Sequence, residues 1–147
     1  MPRIERTANV VWEGNLARGE GRISAATGAF TELPYTLATR VGNPEGKTSP
    51  EELLAAAHAG CFSTSLAGEL TRAGTPPGRL EVSCTIAMDE VEGQGHQIIG
   101  SDVTVHADVD GADEVALADA LEKADEGCPF SALLKRAGVT VQVTTSP

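Results

Sequence analysis

The stretch SPEELLAAAHAGCFSTSLAGEL, Ser49 to Leu70, predicts a long helix and places a cysteine, Cys61, inside it. Ser49 is a favourable N-cap, Pro50 suits the first helical position, and a glutamate at position 52 completes an S-x-x-E capping box. The helix therefore has a clear start. It carries the most informative cysteine of the chain.

The middle of this helix, LLAAAHAGCF, is apolar on every side, which predicts burial all round. We expect the helix to run to Arg72, with Gly74 as its C-terminal stop. Several small residues would let another backbone approach closely, namely Ala56, Ala57, Ala59 and Gly60. In a chain of 147 residues such a helix needs cover on several faces. A twin helix across a dimer axis would provide it.

The segments on either side of the helix predict an α+β fold. Before it, TANVVWEG, GRISAATG and PYTLATRV alternate apolar and polar residues between glycine-containing turns, as in an antiparallel meander. After it, two long strand patterns, PPGRLEVSCTIAMDEV and HQIIGSDVTVHADV, flank the turn EGQG. DGADEVALADALEKADEG predicts a helix capped by Asp110 or Asp113, CPFSALLKRAG a short helix, and VTVQVTT a last strand. The order βββ-α-ββ-αα-β predicts one domain, residues 1–147, with helices against antiparallel sheet.

Composition excludes several classes of protein. The net charge of -10 argues against nucleic acid and against an anionic membrane surface as partners. No apolar run approaches the roughly 18 residues of a membrane span. The N-terminal MPRIERTANVVWEG lacks the apolar segment of a signal peptide, so we expect a cytoplasmic protein.

The three cysteines, Cys61, Cys84 and Cys128, are too few for the disulfide framework of a secreted module. They form no CxxC pair and share no metal-ligand spacing with the three histidines, so we expect neither a metal nor a cofactor. In a reducing compartment, a pair of cysteines is more often catalytic or redox-sensing than structural.

Cys61 and Cys128 occupy different environments. Cys128 precedes Pro129 at the N-cap of the short helix, where backbone N–H groups and the helix dipole favour a thiolate. Burial would raise the pKa of Cys61, so a nucleophilic Cys61 needs a nearby cation. His58, on the same helix face, and Arg40, in the strand-like LATRV, are the candidates.

A buried Arg40 needs a carboxylate partner, and Glu51 or Glu52 could serve. Glu51 precedes Cys61 by ten residues, about 15 Å along a straight helix, so these two side chains cannot touch within one helix. Arg40 could span part of this gap, or a partner subunit's helix could bring Glu51 to the cysteine.

Each of these residues also has a purely structural interpretation. A cysteine in a buried alanine-rich helix is often a small hydrophobic residue, which applies to Cys61. Cys84, in the strand pattern EVSCTIAM, is interpreted as packing, and Cys128 as a cap residue. His58 is more often a hydrogen-bonded core histidine than an acid or a base.

Two segments carry a resemblance to a known family. SPEELLAAAHAGCF resembles the central helix of the OsmC/Ohr family of thiol peroxidases, and EGCPFSALLK resembles the segment that holds that family's second cysteine. The similarity extends to WEGNLARGEGRIS and to the segment Pro34 to Arg40. It implies an OsmC-like fold, with antiparallel sheets around a long buried central helix. It also implies an intertwined homodimer whose active sites lie at the subunit interface.

The resemblance assigns roles to particular residues. Cys61 matches the peroxidatic cysteine, which becomes a sulfenic acid, and Cys128 matches the resolving cysteine, which forms a disulfide that an external dithiol reduces. The family's arginine and glutamate match Arg40 and Glu51 best. Arginines at positions 18 and 22 are rivals of Arg40, because the Ohr branch uses an N-terminal arginine. The histidine at position 58 resembles the OsmC branch, and its variation between branches implies no essential chemical role.

The resemblance and the composition together predict an enzyme that reduces organic hydroperoxides to alcohols. Apolar walls would favour an alkyl hydroperoxide over hydrogen peroxide, and the candidates are Leu53, Leu54, Phe62 and Phe130. Two alternatives remain. The cysteine pair could belong to a peroxide-responsive redox sensor with little turnover, or to a small-ligand binding protein of the same fold.

Overall fold

Ten helices and strands follow one another in the computed structural model, which describes residues 2–147. The chain divides into two units, one up to Pro50 and one from Glu51 onward. The first contains β1 (Ala8–Glu13), β2 (Glu20–Ala25), β3 (Leu33–Tyr35) and α1 (Leu37–Val41). The elements that follow are α2 (Pro50–Arg72), β4 (Arg79–Val91), β5 (Gly95–Asp108), α3 (Glu114–Gly127), α4 (Pro129–Arg136) and β6 (Thr140–Thr145).

The first unit is built on the antiparallel sheet β1-β2-β3 that the alternation predicted. Gly21 lies between Trp12 and Tyr35 in the register of the three strands. The two aromatic rings are 5.7 Å apart. A Cβ atom on Gly21 would lie 2.3 Å from the Tyr35 ring, so a side chain at this position would clash with that ring.

The prediction of a strand throughout PYTLATRV was wrong for its second half. β3 ends at Tyr35, and α1 begins after Thr36. The N–H of Thr39 donates to the Thr36 hydroxyl at 3.0 Å, and the N–H of Thr36 donates to the Thr39 hydroxyl at 3.0 Å. This reciprocal capping, with threonine in place of the usual glutamate, stabilises a helical turn in a segment whose composition favours a strand.

Helix α2 spans Pro50–Arg72, as its start and stop signals predicted. Its fully buried side chains recur every four residues, namely His58, Phe62, Leu66 and Leu70. Within the single chain the opposite face is exposed at Glu52, Ala56, Gly60 and Thr64, so burial on every side would need the predicted second chain and stays a prediction. One buried stripe along a helix is the pattern of packing against a single layer.

The second sheet has the order β4-β5-β6 and supplies that layer. Leu66 and its neighbours along the buried stripe join Val103 and Val105 of β5 in one core, to which α3 adds Ala120 and Ala124. β4 and β5 are antiparallel, whereas β6 runs parallel to β5. The expectation of purely antiparallel sheet was therefore wrong here. The cause is the crossover through α3 and α4, which returns the chain to the same end of the sheet.

The two short helices begin where the sequence predicted. Asp113 caps α3 and accepts a hydrogen bond from the N–H of Ala116 at 2.8 Å, which selects it over Asp110. Cys128 lies at the junction, ending α3 and standing at the N-cap of α4 before Pro129. Within residues 2–147, no helix is both long and apolar enough to cross a membrane.

Candidate active site

Two cysteines meet in the second unit. Cys61 lies in the middle of α2 and is half-buried, while Cys128 is fully buried between α3 and α4. Their side chains form a hydrogen bond, and neither is in a disulfide. The fold therefore places two free thiols, distant in sequence, next to each other at the edge of the core.

The start of α4 is directed at Cys61. The backbone N–H of Phe130 and the hydroxyl of Ser65 both donate hydrogen bonds to the Cys61 sulfur. Cys128 itself makes no side-chain capping bond, although it stands at the N-cap. The amide that was expected to face Cys128 thus faces Cys61. Sequence reasoning missed Ser65, whose position four residues after Cys61 on one helix face was the available signal.

The pKa of Cys61 is raised above its ordinary value of 9.0. Burial is the largest cause and the hydrogen bond with Cys128 the next, while the Phe130 N–H and the Ser65 hydroxyl oppose them by favouring the thiolate. Cys61 is therefore a protonated thiol at neutral pH in this state.

His58 is a buried, neutral histidine. Its Nδ1 lies 2.6 Å from the hydroxyl of Ser101, and its Nε2 lies 2.7 Å from the hydroxyl of Ser131. Burial lowers its pKa most, with Asp125 raising it and Lys135 lowering it. The interpretation as a hydrogen-bonded core histidine is confirmed. The alternative, a cation for Cys61, was wrong because a buried imidazole with two neutral partners does not hold a charge.

Cys84 belongs to the surroundings of His58 rather than to the thiol pair. Its sulfur lies 3.2 Å from the Ser101 hydroxyl and 3.8 Å from His58 Nδ1. Burial raises the pKa of this thiol. The packing interpretation agrees with this position on β4.

Arg40 lies in the last turn of α1 and is exposed. The expectation of a buried arginine in a strand was wrong, because the Thr36–Thr39 cap turns this segment into a helix. Arg40 lines a pocket of about 190 Å³ together with Trp12, Leu16, Tyr35 and Leu37. Glu51 lies in the first turn of α2. The pairing of these two side chains stays a prediction.

The other arginines and the expected pocket walls differ in how exposed they are. Arg18 is exposed, and Arg22 forms an ion pair with Glu20 at 3.4 Å. Among the expected pocket walls, Phe62 is closed inside the core, where no substrate has access. The half-buried ones are Leu53, Leu54 and Phe130. Among residues 2–147, no three His, Cys, Asp or Glu side chains converge in a way that could hold a metal ion.

The protein is thus an α+β protein with one free thiol inside its long helix and a second free thiol next to the first. The model of the OsmC-like protein family matches residues 42–144. The chain therefore belongs to the OsmC-like family, as its helix and second cysteine segment predicted.

Known relatives agree with this assignment. The chain is 35% identical over 132 residues to Peroxiredoxin OsmC of Escherichia coli (strain K12), a match that covers 90% of this chain and 91% of the relative. Among solved structures, an organic hydroperoxide resistance protein OsmC from Legionella pneumophila has a TM-score of 0.77 and 21% identity, covering 99% of this chain and 100% of its own. The organic hydroperoxide resistance protein OhrB of Bacillus subtilis has a TM-score of 0.75 and 23% identity, covering 95% and 98%. These structures share the α+β fold.

Two substitutions test the hydrogen bonds of Cys61. Cys128→Ala should lower the pKa of Cys61, because it removes the bond that holds the Cys61 proton, and Ser65→Ala should raise it by removing a donor to the thiolate. The measurement is the pH dependence of Cys61 alkylation, followed on the Cys61 peptide by mass spectrometry. Shifts of both variants in the same direction would contradict these contacts.

Proposed function

We propose that this protein is a cysteine-based peroxidase that reduces organic hydroperoxides to alcohols. The observation that carries the proposal is the hydrogen-bonded pair of free thiols, Cys61 and Cys128, in a chain of the OsmC-like family. The names of its relatives support it, since one is a peroxiredoxin and two are organic hydroperoxide resistance proteins.

The first step oxidises Cys61. Its thiolate attacks one peroxide oxygen and forms an S–O bond, the O–O bond breaks, and the leaving alkoxide takes up the proton that Cys61 released. The products are an alcohol and a sulfenic acid. The Phe130 N–H and the Ser65 hydroxyl, which donate to this sulfur, favour the thiolate that the step requires.

The second step uses the neighbouring thiol. The Cys128 sulfur attacks the sulfenic sulfur, an S–S bond forms, the S–O bond breaks, and the hydroxide leaves as water with the Cys128 proton. An external dithiol then reduces the disulfide by two thiol–disulfide exchanges and is itself oxidised. The reducing conditions of the cytoplasm suit this recycling. Rapid resolution also protects Cys61 from irreversible oxidation to sulfinic acid.

Arg40 and Glu51 are the charged residues of the proposal. We assign to Arg40 the stabilisation of negative charge on the peroxide oxygen as the O–O bond breaks, and to Glu51 the orientation of the guanidinium. Arg40 lines a pocket with apolar and aromatic walls, which suits an alkyl hydroperoxide better than hydrogen peroxide. Leu53, Leu54 and Phe130 are kept in the proposal as candidate substrate-contacting residues.

We also propose that residues 1–147 act as one OsmC-like domain, because relatives align along 90% of the chain. We further propose that this domain forms a homodimer. The first strand, β1, is exposed at all six positions, Val10 by 53% and Val11 by 59%. An exposed apolar edge strand of this kind invites pairing with another chain. The exposed small residues on α2 offer a second surface on which a copy could pack closely. A second copy of this chain is the partner that both surfaces favour.

Thiol titration tests the reaction. One equivalent of cumene hydroperoxide should convert Cys61 and Cys128 into a mapped disulfide and leave Cys84 free, because the Cys84 sulfur faces Ser101 and His58. Cys61→Ser should abolish dithiol-driven turnover. Cys128→Ser should permit the first oxidation but block recycling, and Cys84→Ser is the control that keeps turnover.

Other outcomes of that titration separate the alternatives. Normal turnover by Cys61→Ser would contradict the assignment of the peroxidatic cysteine. A disulfide that forms without dithiol-driven turnover would indicate a redox sensor. Three unreacted thiols would indicate a binding protein whose cysteines are incidental.

Arg40→Ala should lower the kcat/KM for cumene hydroperoxide roughly a hundredfold, the usual cost of removing one group that stabilises developing charge. Arg6→Ala, which removes another exposed arginine of the same unit, is the matched control and should have little effect. Steady-state kinetics with cumene hydroperoxide give the kcat/KM of each variant. A mild effect of Arg40→Ala would transfer the role to Arg18 or Arg22.

The same kinetics with hydrogen peroxide test the apolar pocket. Wild-type protein should have a higher kcat/KM for cumene hydroperoxide than for hydrogen peroxide, and an equal or higher value for hydrogen peroxide would contradict the apolar pocket.

Sedimentation should give a mass of twice the 15.2 kDa chain if the dimer forms. Val11→Lys should weaken it, because a lysine on the exposed edge of β1 opposes pairing. Val115→Lys, on an even more exposed valine of α3, should leave the dimer intact. A monomer at micromolar concentration, or equal effects of both substitutions, would contradict this interface.

A further inference from the structure

A buried chain of hydrogen bonds connects three elements of the second unit. Ser101 of β5, His58 of α2 and Ser131 of α4 are all completely buried, with the imidazole between the two hydroxyls. The proposed chemistry makes no use of them. Buried polar side chains are costly unless they are fully hydrogen-bonded, so their position requires an explanation.

The position of this chain relative to the thiols is informative. His58 precedes Cys61 by three residues on α2, and Ser131 follows Cys128 by three residues in α4. The bond from His58 to Ser131 therefore joins the same two segments that the thiol contact joins, about one helical turn away on each. It is a second link between α2 and the start of α4.

The link is neutral and directional. A neutral imidazole has one donor and one acceptor nitrogen, and a serine hydroxyl can serve as either partner, so both bonds form without a buried charge. Ser101 occupies Nδ1 and holds the ring, which leaves Nε2 for Ser131. The far end of α4 is held differently, by the ion pair of Lys135 with Asp125 of α3.

We propose that His58 is a positioning residue that, through Ser131, holds the start of α4 against α2. In this arrangement the Cys128 thiol and the Phe130 N–H stay on the Cys61 sulfur. His58 touches no reacting atom. The inference rests on the proposed function only in treating Cys61 and Cys128 as a redox pair.

The test compares two buried serines that bond to the same ring. Ser131→Ala removes the link to α4, and Ser101→Ala removes an equivalent bond on the sheet side. Each protein is equilibrated with reduced and oxidised dithiothreitol, which takes up or supplies the two electrons and two protons of the disulfide. The Cys61–Cys128 disulfide is then quantified after alkylation by peptide mapping.

Ser131→Ala should lower the equilibrium constant for disulfide formation about tenfold, the factor expected when one buried hydrogen bond that aligns the thiols is lost. Ser101→Ala should change this equilibrium constant less than about twofold. It should nevertheless lower the stability to chemical denaturation about as much as Ser131→Ala does. Equal changes of the equilibrium constant in both variants, or none in Ser131→Ala, would show that the histidine serves stability alone and overturn the proposal.

A second pair of variants acts on the histidine itself. The amide of glutamine reaches towards the position of Nε2 and that of asparagine towards Nδ1, so His58→Gln should retain the equilibrium constant better than His58→Asn. The reverse order would contradict the assignment of Nε2 as the link. The titration contains no peroxide. Failure of wild-type protein to react with a hydroperoxide would therefore count against the proposed function and leave this measurement valid, whereas no disulfide in dithiothreitol buffer would overturn the positioning role.

Discussion

Burial of one stripe of α2 against β5 is the constraint on which the other features of the second unit depend. Phe62, Leu66 and Leu70 are at most 1% exposed, and each such side chain contributes about 1.5–3 kcal/mol by leaving water. A turn of the helix by one residue, about 100°, would expose the whole stripe. Cys61 precedes Phe62, so the same packing fixes the cysteine at the edge of the core and fixes His58 inside it.

This position creates a conflict between packing and reactivity. Burial and the neighbouring thiol both raise the pKa of Cys61, which opposes formation of the nucleophile. Within the second unit two neutral dipoles, those of the Phe130 amide and the Ser65 hydroxyl, counteract this rise in the pKa of Cys61. The histidine cannot add a charge, because it is buried and neutral. A full positive charge during the reaction has to come from outside this cluster, which is the role proposed for Arg40.

The sequence allowed the elements to be predicted where the signals are local. Pro50 and the residues around it mark the start of α2, and Asp113 marks that of α3, because capping depends on a few adjacent residues. The parallel position of β6 was missed, since strand direction depends on the crossover. The serines around His58 were missed because they lie 43 and 73 residues away along the chain. Helix α1 was missed although its threonine cap is local, because threonine also favours strands.

A neutral link suits a site whose charge changes during the reaction. In the proposed reaction the Cys61 sulfur passes from thiol to thiolate, then to sulfenic acid and disulfide, so the field near it differs at each stage. A charged pair one turn away would change in strength with every stage and would have to be desolvated to lie in this core. The bond between His58 and Ser131 carries no net charge and keeps nearly the same strength throughout. It can therefore hold α4 in one place while the chemistry beside it proceeds, a property that an ion pair at the same position would lack.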